Sequence, residues 1–226
     1  MKISDLCVEI SDFKLGIPFL ELEERASHAL VGPNGCGKST LAKAILNIIP
    51  NNSVDLEGLS SLDVMLVPQR PYLLHESVID NILYPLKIRN REINEEELSS
   101  LLDVFNLSDK KNQYARSLSS GEQQKVSLIR CLLCHPRYLI IDEALSNLDS
   151  ESVVMIEELL KREKNTTLIL ISHQLTQVLN ICDKVHFLNK GKLIESGTTK
   201  DVLLHSKSEV IQNYMRSQVI FSEGIQ

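Results

Sequence analysis

This chain of 226 residues has no excess of positive charge, no long apolar run and no regular cysteine pattern. The five cysteines are odd in number and scattered, which excludes a disulfide framework. The formal net charge of −6 gives no electrostatic attraction to nucleic acid, so we expect no nucleic-acid partner. No apolar run approaches the length that spans a bilayer, and the N-terminal segment MKISDLCVEI lacks a signal-peptide core. These absences predict a cytoplasmic protein that can still dock on a membrane protein.

Two of the cysteines, Cys131 and Cys134, form a C-x-x-C pair. A structural zinc site would need a second ligand pair at suitable spacing, and the sequence offers none. A redox pair would stand at the start of a helix, whereas residues 121–130 already have a helical pattern. We therefore expect both thiols to be buried in the core.

The composition favours a folded, soluble domain. Hydrophobic residues make up 43% of the chain and charged residues 24%, which is typical of globular proteins. The length is large for one small domain and small for two large ones. One α/β core with an inserted subdomain is therefore the expected organisation.

Residues 32–40 read GPNGCGKST and fit the phosphate-loop pattern G-x-x-x-x-G-K-[ST]. Glycines let the backbone curl so that its N–H groups point at phosphate oxygens. Lys38 adds a positive charge toward the β- and γ-phosphates, and the Ser39 hydroxyl can bind Mg²⁺. The whole loop is predicted to bind ATP: Gly32, Pro33, Asn34, Gly35, Cys36, Gly37, Lys38, Ser39 and Thr40.

The segments on either side of the loop strengthen this interpretation. Residues 26–31 are apolar enough for a buried strand, and residues 41–49 continue as a helix that Asn51, Asn52 and Ser53 should end. The loop would then lead into a helix N-terminus, which favours anions. Because Cys36 stands just ahead of that helix, we expect its thiolate form to be favoured.

Apolar patterning predicts a mixture of strands and helices along the rest of the chain. Strands are expected at residues 3–10, 19–22, 64–67, 138–141 and 167–171, a hairpin at 184–195, and helices at 150–164 and 199–215. Between residues 70 and 125 strand signals vanish. Acidic residues cluster at 92–97, and Leu98, Leu101, Leu102 and Val104 recur at helical spacing. This stretch is predicted to be a helical insert.

Polar side chains follow three of the predicted strands: Gln69, the pair Asp142 and Glu143, and His173. Ligands bind at the C-terminal ends of strands in parallel α/β sheets. Asp142 can hold Mg²⁺ opposite Ser39. The remaining three are predicted to be catalytic: Glu143 orients or deprotonates a water, Gln69 offers its amide to that water or to the metal, and His173 donates to the γ-phosphate. The metal ligands are thus expected to be Ser39, Gln69 and Asp142.

An aromatic side chain should stack on the base of the nucleotide. Phe13 and Phe19 are the candidates ahead of the phosphate loop, and we assign the role to Phe13. The alternative is that both rings simply belong to the core.

Residues 118–124 read LSSGEQQ, which resembles the L-S-G-G-Q signature motif of ATP-binding cassette (ABC) ATPases. Other marks of that family also match in order. They are the phosphate loop, Gln69 as the Q-loop glutamine, YLIIDEA as the Walker B strand, SNLD as the D-loop and His173 as the switch histidine. The resemblance covers nearly the whole chain, from about residue 3 to residue 197.

The resemblance implies an α/β fold. Its P-loop NTPase core has a mostly parallel sheet, an N-terminal antiparallel β-subdomain and an inserted α-helical subdomain. About residues 1–69 and 126–226 would form the RecA-like core with its β-subdomain. About residues 70–125 would form the helical subdomain, with the signature motif at its end. The chain would then be a single ABC ATPase domain that uses ATP and Mg²⁺.

The resemblance also implies a head-to-tail dimer, either a homodimer or a heterodimer with another ABC ATPase. Ser119, Gly121 and Glu122 of one subunit would bind the ATP held by the phosphate loop of the other. The residues agree, because Ser119 and Gly121 open a helix whose N–H groups can bind an anion. The sequence departs from the usual motifs at Ser120, at Glu122, at Ala144 and at Asn147, and no catalytic group is lost.

The chain resembles a separate transporter subunit, because it contains no membrane span and no substrate domain. It resembles an importer, because it lacks the acidic-Gly element that precedes the signature in exporters of this family. Integral membrane permease subunits would be its partners, docking on residues 70–86, and a solute-binding protein would deliver a small solute. The subunit would then lie on the inner face of the cell membrane. Residues 76–89 resemble importers of oxyanions such as tungstate.

Two other classes stay open. A non-transport ABC ATPase, of the iron–sulfur assembly type, would act with soluble partners. A P-loop kinase or switch GTPase would not explain LSSGEQQ.

Overall fold

The computed structural model describes residues 1–49, 54–55 and 63–223, and this part of the chain forms one nine-stranded sheet with eight α-helices around it. The strands are β1 (Lys2–Ile10), β2 (Phe13–Glu21), β3 (Ser27–Val31), β4 (Val54–Asp55), β5 (Val64–Val67), β6 (Tyr138–Asp142), β7 (Thr167–Ile171), β8 (Lys184–Asn189) and β9 (Lys192–Thr198). The helices are α1 (Lys38–Ile45), α2 (Val78–Ile88), α3 (Glu95–Val104), α4 (Ser120–Leu132), α5 (Ser150–Arg162), α6 (Leu175–Ile181), α7 (Thr199–Leu204) and α8 (Glu209–Glu223).

The middle of the sheet is parallel and its N-terminal edge is antiparallel. The strand order is β4-β1-β2-β9-β8-β3-β7-β6-β5. β3 pairs in parallel with β7 and β8, and β6 pairs in parallel with β5 and β7. β1 pairs antiparallel with β2 and β4, as β8 does with β9. The predicted α/β fold, with a mostly parallel sheet and antiparallel N-terminal strands, is confirmed.

The parallel strands are buried on both faces and alternate between two hydrophobic cores. In β6, Leu139 and Ile141 belong to one core, while Tyr138 and Ile140 belong to the other. This double burial explains why these strands read as uninterrupted apolar runs. Because β3, β5, β6 and β7 pair in parallel, their C-terminal ends lie at one edge of the sheet, and the predicted site residues follow those ends.

Residues 70–125 contain α2, α3 and the start of α4, and no strand. α3 begins at Glu95, where the Asn94 side chain caps the helix by accepting a hydrogen bond from the Glu97 N–H. The acidic run therefore stands at a helix N-terminus, where negative charge is favoured. The predicted insert is helical, and its boundaries as a separate subdomain stay a prediction.

β2 differs from the prediction, because it starts at Phe13 and runs through Gly16 and Pro18 instead of starting at residue 19. It pairs with β1 over its whole length. The Gly16 N–H also donates to Gly191 O at 2.7 Å. Pairing on both sides outweighs the tendency of glycine and proline to make turns, and Pro18 is left out of the ladder register.

The C-terminal region also differs, because the single helix predicted at residues 199–215 is two helices, α7 and α8. The Ser206 hydroxyl donates to Glu195 of β9 and accepts a hydrogen bond from the Ser208 N–H at 3.1 Å. The bond to Glu195 ties Ser206 to β9, and the local bond from Ser208 stabilises the turn between α7 and α8.

The first helix, α1, begins at Lys38 and ends at Ile45, rather than spanning 41–49. The predicted helix break at Asn51, Asn52 and Ser53 lies outside the described residues. Across the described ranges, no helix is both long and apolar enough to cross a membrane.

Candidate active site

The phosphate-loop segment connects the end of β3 to the start of α1. Gly37 stands at the N-cap of α1 with a φ of 115°, and the Leu41 N–H donates to its carbonyl at 2.8 Å. At the other end, a Cβ on Gly32 would come within 2.0 Å of Leu188 O on β8. The loop is therefore pressed against the sheet in a way that only glycine allows, and the first residues of α1, Lys38, Ser39 and Thr40, line a cavity beside it.

Lys38 lies across this loop and is almost fully buried. Its ammonium donates to the carbonyls of Gly32 at 2.8 Å and Pro33 at 3.1 Å. These bonds hold a positive charge at the mouth of the loop, where the pattern predicts that phosphates bind.

Cys36 is also in the loop, but it is only 3% exposed. Burial raises the pKa of its thiol, although the nearby Lys38 charge acts in the opposite direction. The expectation that the thiolate is favoured is therefore wrong, because desolvation outweighs the field of the helix end. The Cys36 side chain packs under the loop and does not line the cavity.

Ser39 and Asp142 meet at the front of the sheet. The Ser39 hydroxyl donates to Asp142 Oδ1 at 3.2 Å, although the two residues are 103 positions apart. Burial is the main cause that raises the pKa of Asp142, with the hydrogen bond from Ser39 opposing it. A partly desolvated carboxylate beside a hydroxyl is a donor set that suits a hard divalent cation.

Glu143 lies between Gln69 and His173. Gln69 Nε2 donates to Glu143 Oε2 at 2.9 Å, and His173 Nδ1 lies 3.7 Å from Glu143 Oε1. Glu143 has a φ of 50°, which is uncommon for a residue other than glycine, and its N–H donates to Ile171 O at 2.9 Å. Such uncommon backbone conformations are frequent at functional sites.

Two adjoining cavities lie beside the phosphate loop and share Asn34 and Glu143 as lining residues, whereas Gln69 and Asp142 line neither. The first, of about 590 Å³, is lined by Phe13, Gly37, Lys38 and Ser39 among others. Phe13 thus lies where a base-stacking ring is expected, whereas Phe19 is exposed and lines a separate depression near β9.

Sequence reasoning missed several lining residues. The second cavity, of about 540 Å³, is bounded by α8 through Val210, Tyr214 and Ser217. Their spacing places them on one helical face, but no sequence motif connects that face with the phosphate loop. Ile10 lines the first cavity and was likewise missed.

The signature residues stand apart from both cavities. Ser119 is the N-cap of α4 and forms a capping box with Glu122. Gly121 packs on the D-loop, since a Cβ there would lie 3.2 Å from Asn147 O. Neither cavity is lined by any of these three residues.

The segment predicted to dock a membrane partner divides into two sets of side chains. One set is buried in the protein's own core: Leu73, Val78, Ile82, Leu83 and Leu86. Tyr72 and Tyr84 are exposed, and so are Ile88 and Tyr114 outside this segment. Large apolar side chains that stay exposed can take part in an interaction site when they lie together.

A model of the ABC transporter family matches residues 18–146. The methionine import ATP-binding protein MetN 1 of Bacillus thuringiensis subsp. konkukian is 36% identical over 88% of this chain and 65% of its own length. The methionine import ATP-binding protein MetN of Photobacterium profundum is 31% identical over 90% of this chain and 65% of its own length. The chain thus spans about two thirds of the length of these curated relatives.

Solved structures support the fold. One described as an ATP binding subunit of an ABC transporter superposes with a TM-score of 0.81 over 100% of this chain and 99% of that chain, at 23% identity. A bacterial Atm1-family ABC exporter with ATP bound also gives a TM-score of 0.81, over 96% of this chain and 41% of that chain.

Proposed function

Because this chain belongs to the ABC transporter family, we propose that it is the ATP-hydrolysing subunit of an importer for a small solute. One observation carries the catalytic part of the proposal. Asp142 bonds to Ser39 of the phosphate loop, and Glu143 lies between Gln69 and His173, so side chains from three strand ends meet beside the loop. Separate structural roles would not require side chains from three strand ends to meet at the phosphate loop.

The phosphate loop binds the triphosphate of ATP. The N–H groups at the start of α1 and the Lys38 ammonium provide the positive field, and Lys38 exchanges its bonds to loop carbonyls for bonds to phosphate. Phe13 supplies an apolar face for the base. Ser39, Asp142 and Gln69 would hold Mg²⁺, which supplies charge neutralisation on the phosphates when bound.

Hydrolysis depends on Glu143. Its carboxylate accepts a hydrogen bond from Gln69, which fixes its orientation, and it takes a proton from the attacking water as general base. His173 lies on the opposite side of the carboxylate and donates to the γ-phosphate. The field of Lys38 and the loop N–H groups stabilises the charge that develops on the phosphate.

A dimer completes each site. Ser119 and Gly121 lie at the α4 N-terminus and line neither of these cavities of their own chain, and this separation supports a role toward the ATP of a second subunit. Glu122 stands at the same end of the helix, beside the place of that ATP. The second subunit is another copy of this chain or a related ABC ATPase. ATP then favours the closed dimer, and hydrolysis releases it.

Transport follows from partners in the membrane. The segment that exposes Tyr72 and Tyr84 receives a cytoplasmic segment of permease subunits, so the protein is peripheral on the inner face of the cell membrane. The names of the relatives favour methionine or a similar amino acid over an oxyanion, delivered by a solute-binding protein. The proposed division is a core of residues 1–69 and 126–226 with a helical subdomain of 70–125.

The catalytic proposal is tested with purified variants. Glu143→Gln should keep ATP binding and lower turnover by about 10²–10⁴-fold, the usual worth of a general base. Lys38→Ala should weaken ATP binding itself, and Asp142→Asn mainly its Mg²⁺-dependent part. Unchanged ATP binding and turnover in all three variants would contradict the proposal.

Transport is tested on the complex isolated from membranes through a tag on this chain. Reconstituted with its solute-binding protein, it should hydrolyse ATP faster with methionine than with tungstate. Stimulation by tungstate alone would favour an oxyanion importer. Recovery only with soluble partners would favour the alternative, an ABC ATPase of the iron–sulfur assembly type.

A further inference from the structure

The anion-binding end of α4 already holds an anion from its own chain, the carboxylate of Glu122. Glu122 Oε2 accepts two hydrogen bonds from Ser119, one from its N–H at 2.9 Å and one from its hydroxyl at 2.9 Å. The Glu122 N–H donates back to the Ser119 hydroxyl oxygen at 3.3 Å. Both donors of Ser119 that could bind a phosphate are therefore engaged by one carboxylate.

Lys110 fixes this carboxylate from a neighbouring turn. Its ammonium donates to Glu122 Oε1, so that each carboxylate oxygen has a partner of its own. Chiefly this hydrogen bond, together with those from Ser119, lowers the pKa of Glu122 to about 2. The carboxylate is therefore ionised at neutral pH, and Lys110 is the cation that compensates it.

The proposed dimer brings a γ-phosphate to this same end of α4. Ser119 cannot donate its hydroxyl both to Glu122 and to that phosphate, because a hydroxyl carries one hydrogen. A carboxylate and a phosphate at close range also repel each other, and like charges across an interface are costly. Closure must therefore displace Glu122 from Ser119, or leave Glu122 beside a second anion.

We propose that Glu122 competes with the partner's γ-phosphate for Ser119, and that the ion pair with Lys110 sets how much ATP is required for dimer closure. The inference rests on the proposed function. It gives Glu122 and Lys110 opposite effects: the carboxylate opposes closure, and the ammonium reduces that opposition by neutralising the carboxylate.

A structural role is the competing explanation, since acids cap helices elsewhere in this chain. Asp201 accepts a hydrogen bond from the hydroxyl of Thr198 at the N-cap of α7. If Glu122 only caps α4, its loss should leave closure unchanged or weaken it. Glutamine also serves at this position of a capping box, so Glu122→Gln removes the charge and keeps the cap.

The test measures the ATP concentration at which half of the protein sediments as a dimer, with Glu143→Gln as the parent. Adding Glu122→Gln should lower that concentration at least about threefold, since like charges across an interface are removed at both sites. Lys110→Met should raise it in the parent and have no effect once Glu122→Gln is present. Such non-additivity is expected of groups that act through one contact.

Two variants control for general effects. Asp201→Asn removes an acid of the same kind at α7, and Lys111→Met removes an exposed positive charge next to Lys110. Neither variant should change the ATP concentration at which half of the protein is dimeric.

The inference would be overturned if Glu122→Gln left unchanged or raised the ATP concentration at which half of the protein is dimeric. It would also be overturned if Glu122→Gln and Lys110→Met changed that concentration additively. A parent that binds ATP but never dimerises would instead overturn the proposed dimer, and the inference with it.

Discussion

Two buried histidines should make the stability of the protein depend on pH. His28 on β3 and His186 on β8 stack with their ring centroids 5.2 Å apart, and their nitrogens Nδ1 and Nε2 lie 3.0 Å apart. His28 also bonds to Glu23 O and His186 to the Ser196 hydroxyl, each through its other nitrogen. The pair joins β8 to β3, the strand that leads into the phosphate loop.

Burial is the main cause that lowers the pKa of both side chains, and that of His186 falls to about 3. In the unfolded chain the pKa of histidine is about 6.5. Above that pH both states are neutral, so no stability is lost. As the pH falls below 6.5, these histidines bind protons in the unfolded chain but not in the folded protein, so folding becomes less favourable. At pH 5.5 the neutral His186 costs about 1.4 kcal/mol relative to pH 7.5, and His28, whose pKa is also lowered, adds to this loss in the same direction.

Urea unfolding at pH 7.5 and pH 5.5 measures this loss. Other groups also titrate in this range, so the comparison is with the double variant His28→Gln, His186→Gln. The variant is expected to be less stable at pH 7.5, but its loss on going to pH 5.5 should be smaller by at least about 1.4 kcal/mol. Equal losses in both proteins would refute the reasoning.

Two further predictions concern the phosphate loop and Gly191, whose N–H donates to Cys36 O of that loop at 3.0 Å. Gly191 has a φ of 74° and a Cβ there would lie 1.9 Å from Lys14 O, so Gly191→Ala should lower the free energy of unfolding by about 2 kcal/mol or more. Gly16→Ala, where a Cβ would meet nothing within 4 Å, is the matched control in the same unfolding assay, and an equal loss would contradict the argument. Cys36 is buried with a raised pKa, so a maleimide should label exposed Cys7 much faster in the native protein, as mass spectrometry can measure. Faster labelling of Cys36 would mean that the loop opens.

The phosphate loop and the strand-end residues could be predicted because their signals are local. Each depends on a few consecutive residues, such as an apolar run followed by Asp142 and Glu143. The contact of Glu143 with Gln69 spans 74 positions, and the sequence predicted only that both follow strand ends at one edge of the sheet, not that they bond to each other. Parallel strands and their order are set by long-range pairing, which no local pattern reports.

The errors arose where tertiary structure outweighs a local preference. The helix end near Cys36 favours a thiolate, but burial is a property of the whole fold and dominates. Gly16 favours a turn, yet strand pairing on both sides keeps β2 continuous. Tyr214 lies beside the phosphate loop only because α8 folds back across the sheet, and its sequence carries no motif.

The central claim is that the phosphate loop of one subunit and the signature segment of another form one ATP site. The most direct test is sedimentation of the Glu143→Gln variant with ATP, with and without Ser119→Arg. The account predicts an ATP-dependent dimer that Ser119→Arg abolishes, because a bulky side chain fills the place of the γ-phosphate, while each monomer still binds ATP. A dimer that persists in the Ser119→Arg variant, or a monomer that loses ATP binding through that change, would contradict it.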